Sequence, residues 1–157
     1  MKKRTAVLTT VLGGLTGAVV TGKIVGKEVQ TKGEKINKFK GYYSMLNQWL
    51  ALKQKGKSLA EYFVSNEYKE MCIYGMGEMG NRLYDELKNT EIKVKYAIDK
   101  DAASTYSELD VKEIDDDLPE VDVVVVTATF AFDDIVEDIQ DKFSCPIVSL
   151  EDVVYGL

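Results

Sequence analysis

Residues 71–82 read Met-Cys-Ile-Tyr-Gly-Met-Gly-Glu-Met-Gly-Asn-Arg, and the fold turns on them. An apolar run over 71–74 stops at Gly75, and the glycines then repeat as Gly75-x-Gly77-x-x-Gly80. An amphipathic stretch over 81–88 follows at once. The order is buried strand, tight turn and helix start, a geometry suited to a pyrophosphate. Gly75 serves the turn, Gly77 lets a phosphate approach, and Gly80 lets the helix pack on the strand. Met76, Glu78 and Met79 supply the backbone between them. The new helix offers free N–H groups and a partial positive charge to an anion.

Downstream, the spacing predicts a helix over 78–87, with Met79, Leu83, Tyr84 and Leu87 inward, and a second strand over 92–98. That strand ends in Asp99, 19 residues past Gly80, with Lys100 next. An acid at this distance is placed to take ribose hydroxyls. Residues 111–114 allow only a short third strand. The run Asp115-Asp116-Asp117 precedes Leu118-Pro119, and reads as a solvated loop with a helix cap rather than a metal site. Residues 121–127 carry five valines and read as a strand buried on both faces. Thr127, Ala128 and Thr129 then lie at its carboxyl end, where ligands sit in open α/β sheets. A helix over 132–143, a strand over 145–150 and a closing helical turn over 151–155 complete the pattern. Strands alternating with helices predict an α/β fold with a parallel sheet of about five strands.

With these elements in view, residues 68–157 resemble the NAD(P)-binding Rossmann family, through Gly75, Gly77, Gly80 and Asp99. More narrowly, Ile-Tyr-Gly-Met-Gly-Glu-Met-Gly with Tyr-Ala-Ile-Asp-Lys is similar to small bacterial Rossmann-type modules that accompany sugar-nucleotide and surface-polysaccharide enzymes. The resemblance implies NAD or a UDP-sugar as ligand, a role in polysaccharide synthesis, and Gly75 to Gly80, Asp99, Lys100 and Thr127 to Thr129 as its contacts. There is no Tyr-x-x-x-Lys pair of the short-chain dehydrogenase kind and no catalytic domain after the sheet.

Upstream the composition changes. Residues 1–40 carry nine basic against two acidic groups, net +7, whereas the other 117 carry 11 basic and 24 acidic, net −13. An acidic body argues against nucleic acid as a partner. Residues 5–22 contain no charge, and Ile24 and Val25 lengthen the run enough for a marginal membrane span if Lys23 snorkels. We therefore expect an anchor over 1–27, contacting the membrane through 5–25, a helical linker over 28–66 and the nucleotide-binding domain over 67–157. Gly13, Gly17 and Thr21 present small residues that could pair such helices. More basic groups follow the span than precede it, which places the larger part in the cytoplasm. Over 39–52, Phe39, Tyr42, Tyr43, Leu46, Trp49, Leu50 and Leu52 form one broad apolar and aromatic face, for packing on the domain, self-association or a protein partner. Ser58-x-x-Glu61 reads as a capping box opening a short helix.

No histidine is present, which removes the commonest general base and metal ligand. Cys72 and Cys145 read as small core hydrophobes. Three functions fit these residues. One is a membrane-tethered nucleotide-binding sensor or accessory module without catalysis of its own. Another is an interaction scaffold of the same fold that has lost its ligand. The third is an oxidoreductase or sugar-nucleotide enzyme, for which Glu78, Thr127, Thr129 and Asp133 are the nearby polar candidates.

Overall fold

The computed structural model describes residue 33 and residues 35–105 and 107–157. The predicted anchor over 1–27 lies outside the described residues. Among those described, no helix is long and apolar enough to cross a membrane. The chain divides into two compact units, Met1–Tyr42 and Tyr43–Leu157. In the first, residues 35–42 are helical, with Ile36 and Phe39 exposed.

The second unit opens with helical residues 43–54 (α1) and a short helix Ala60–Ser65 (α2). The sheet region follows: β1 (Glu70–Tyr74), α3 (Glu78–Leu87), β2 (Lys93–Ile98), β3 (Val111–Lys112), β4 (Val123–Val126), α4 (Phe132–Ile139), β5 (Ile147–Ser149) and α5 (Leu150–Tyr155). All five strands are parallel, in the order β3-β2-β1-β4-β5. The expected α/β fold with a five-stranded parallel sheet is what the chain adopts. The chain leaves the central β1 toward β2 and β3, then crosses back to β4 and β5. Direction thus reverses between β1 and β4, an order consistent with a Rossmann-like doubly wound sheet.

The central strands are buried on both faces because they are apolar at successive positions. Val123 to Val126 are fully buried, paired residue by residue with Met71 to Tyr74. Four buried valines contribute roughly 6 kcal/mol of gross transfer free energy, before chain entropy is counted. On one face Cys72, Tyr74, Tyr96, Ile98, Val124 and Val126 meet Ile135 and Ile139 of α4. By strand alternation Met71, Ile73, Ala97, Val123 and Val125 belong to the other face, where α3 lies against β1 and β2 and buries Leu83 and Leu87.

The half of the sheet around β3 is built without helices longer than a turn. Among the described residues between β2 and β3 there is a single 3-10 turn, Ala102–Ser104. After β3 the connection runs to β4 as a loop, and Ile114, Leu118 and Val121 from it pack where a crossover helix would sit. The Tyr96 hydroxyl donates to the Pro119 carbonyl at 2.9 Å and pins this loop. The helix cap expected at 115–117 is absent, because no helix follows. Asp116 instead accepts from the Glu113 N–H at 2.8 Å and closes a turn, while Asp115 pairs with Lys142 at 2.7 Å.

Other differences are local. The helix expected over 132–143 gives way to a 3-10 turn, Gln140–Lys142, after Ile139. α1 does not show one broad apolar face. Met45, Trp49 and Leu52 are buried, whereas Tyr43, Leu46 and Leu50 point the other way and stay exposed. Apolar residues at almost every turn position hid that division. At α2 half of the expected capping box forms: Glu61 accepts from the Ser58 N–H at 2.9 Å, but the Ser58 hydroxyl accepts from Ala60 and donates to Glu86.

Glu86 ties α1, α2 and α3 together. Its side chain is 7% exposed, and it accepts from the Trp49 indole at 2.6 Å, the Leu59 N–H at 2.8 Å and Lys53 at 3.1 Å. Burial works to raise its pKa, but these bonds outweigh it and hold the carboxyl below its ordinary value.

Candidate functional site

Gly75 follows β1 with φ +97°, a left-handed conformation that favours glycine, and a Cβ there would press on the Thr127 hydroxyl at 2.8 Å. A Cβ on Gly80 would collide with the Gly75 carbonyl oxygen, so α3 starts as close to β1 as two backbones permit. Gly77 differs from both. It is the N-cap of α3 and faces open space, and no side chain caps the helix there. The N–H groups of the first helical turn have no intrahelical acceptor, and no side chain caps them.

Three side chains brace this turn. Asp99, at the tip of β2, accepts from the Met76 N–H at 2.7 Å and from the Asp101 N–H at 3.0 Å. The Asn81 amide donates to the Met76 and Gly77 carbonyls, both at 3.0 Å. The Thr127 hydroxyl, at the end of β4, donates to the Gly75 carbonyl at 2.7 Å. Each Asp99 oxygen holds one of those bonds and keeps lone-pair capacity for a further donor.

The eleven residues singled out from the sequence divide into groups. Gly75, Met76, Gly77, Gly80, Asp99 and Thr127 meet at the turn. Met76 is buried, its sulfur beside Gly80, while Glu78 is exposed and Met79 half-buried in the first turn of α3. Lys100 and Asp99 line a cavity of about 180 Å³ with Tyr74, Ile98, Glu113, Ile114 and Asp115. Burial, with the charges of Asp138 and Asp99, pushes the Tyr74 phenol up, so it stays protonated. Thr129 lines a second cavity of about 360 Å³, beyond β4 and β5, with Phe130, Phe132, Asp133, Asp134, Ser149, Glu151 and Asp152 among its walls. Ala128 lies between and packs into the core.

Asn81 escaped the sequence reading. Asparagine is a poor choice inside a helix, so one four residues after the N-cap glycine was a usable sign of a local backbone task. Of the four carboxylates of the second cavity, contributed by the starts of α4 and α5, Asp133 alone was a candidate; Asp134, Glu151 and Asp152 escaped, because nothing in the sequence brings those two helices together.

Chemically the arrangement is suited to holding a ligand. Thr127 is 4% exposed with its proton committed, so its oxygen is a poor nucleophile. Asp133 opens onto the second cavity, where none of the described residues lining the wall is basic. Both cysteines are free thiols; burial pushes the Cys72 thiol up and keeps it neutral. Among the described residues, no group of three or more carboxylates and thiols is placed to hold a metal ion. In comparisons with known proteins, no family model, no curated protein and no solved structure matches this chain.

Proposed function

We propose that residues 67–157 bind a nucleotide, NAD or a UDP-sugar, as a sensor or accessory module rather than as an enzyme. The observation that carries this reading is the uncapped start of α3. A glycine with positive φ and a glycine with no room for a Cβ hold that helix end against the backbone after β1, and Gly77 leaves it open. Diphosphate would take the N–H groups of that turn. Ribose hydroxyls would take the remaining acceptor capacity of Asp99. The carboxylates around the second cavity favour a neutral or cationic moiety on that side and disfavour further phosphate. The tether over 5–25, the cytoplasmic placement of the domain and the polysaccharide setting belong to the same proposal.

Thermal unfolding of the full chain with NAD, NADP and UDP-sugars tests it. A ligand at 100 times its Kd adds about 2.7 kcal/mol of stability. NAD should stabilise more than NADP, because Asp99 repels a 2′-phosphate. No shift with any of them at millimolar concentration would sink the reading.

One observation favours a second reading, the ligand-free scaffold: Asp99, Asn81 and Thr127 already satisfy much of the turn from within. Crosslinking in membranes decides. If complexes form equally in wild type and Gly77→Asp, and neither responds to nucleotide, the scaffold reading prevails.

A further inference from the structure

The outward row of α1 has no task in the nucleotide site or in the core. Tyr43 is 72% exposed, Leu46 38% and Leu50 56%, at i, i+3 and i+7 along the helix. Large apolar side chains in a row on one helix face are unusual unless something covers them. In sequence the same alternation of three and four continues upstream through Phe39 and Ile36, themselves 74% and 54% exposed. Lysines accompany the row. Residues 33–57 carry Lys35, Lys38, Lys40, Lys53, Lys55 and Lys57 against Glu34 alone, net +5.

The charge selects the occupant. Two copies pairing along this row would set two segments of net +5 side by side, which is repulsive at close range. Anionic lipid meets both halves of the pattern. Aromatic and leucine side chains enter the boundary between headgroup and acyl chain, and lysines reach the phosphates beside them. We propose that the face of Tyr43, Leu46 and Leu50 is an interfacial surface that lies on an anionic membrane. This surface is distinct from the uncharged run over 5–25, and it does not depend on nucleotide binding.

The test uses the full chain reconstituted into vesicles of phosphatidylcholine alone, or with about one-third phosphatidylserine. Wild type sets the baseline, because Trp49 is its only tryptophan and is buried. In Tyr43→Trp the second indole should shift to the blue and be quenched by brominated lipid on the anionic vesicles. On neutral vesicles, or at about 1 M salt, where screening reaches about 3 Å, it should behave as in water. Adding Leu46→Glu and Leu50→Glu, both at exposed positions and so tolerable to the fold, should abolish the quenching. Emission indifferent to lipid charge overturns the proposal. So does a blue shift that grows with protein concentration in the absence of lipid, which identifies a second copy as the occupant. A shift produced by a purely acidic polypeptide such as polyglutamate, equal to that on anionic vesicles, overturns it in favour of a protein partner.

Discussion

The two ends of α3 carry the same residue type in opposite roles. Glu78, in the first turn, is exposed beside an uncapped helix start. Glu86, in the last turn, is shut in by Trp49, Leu59 and Lys53. At one end backbone donors are left for something from outside; at the other every oxygen of a carboxylate is used from within. Under the proposed function, stability and binding are separated along one ten-residue helix, and substitutions at its two ends should separate them too.

The largest effect is expected at the closed end. Glu86→Ala strands the Trp49 indole N–H and the Leu59 N–H in a half-buried place and frees Lys53, and should cost about 3 kcal/mol in chemical denaturation. A loss near zero would mean that α1 and α2 are held by apolar contact alone. Next comes Gly80→Ala, which forces α3 off the Gly75 backbone and should cost about 2 kcal/mol or more. That residue sits at the open end, so its cost sharpens the contrast: the backbone there is tightly fitted although the helix start has no side-chain cap.

Acid should act through the closed end. The folded pKa of Glu86 lies below its unfolded value, so its contribution is complete above the ordinary carboxylate range, near about 4.3, and is lost as pH falls through the folded value. Measured between about pH 6 and pH 3, wild type should lose stability more steeply than Glu86→Gln. Parallel curves would show that the carboxylate is not held in its charged form. The smallest stability change is expected at Gly77→Asp. A Cβ there meets nothing and aspartate is a better N-cap than glycine, so stability should rise by a few tenths of a kcal/mol, about 0.3. The same variant sets a negative charge where phosphate would sit, so any stabilisation by nucleotide should vanish. Retained nucleotide shifts would remove the helix start from the site.

Much of this contrast was legible in the amino acids, but unevenly. The limits of α3 matched the spacing of Leu83 and Leu87 from Met79, because an amphipathic helix between two apolar strands leaves little freedom. The glycines announced both the turn and the close packing. The order of strands was not legible, since sequence gives alternation and not adjacency; β4 beside β1 follows from three-dimensional packing alone. The loop from β3 to β4 has no helical period, and its Ile114 and Val121 look like strand ends and Leu118 like a stray apolar residue until the core shows what they cover. Glu86 was invisible for the opposite reason. A single glutamate on an amphipathic helix resembles any solvated one, and only α1 and α2 folding over it make it an internal partner.

The bond from Trp49 to Glu86 has an optical consequence. With one tryptophan in 157 residues, all indole fluorescence comes from the seam where α1 meets α3. A chemist following emission during unfolding therefore watches that seam and not the sheet, which far-ultraviolet circular dichroism reports separately. If α1 detaches before the strands part, the two signals will fall out of step, and the protein's own chromophores will have timed the event.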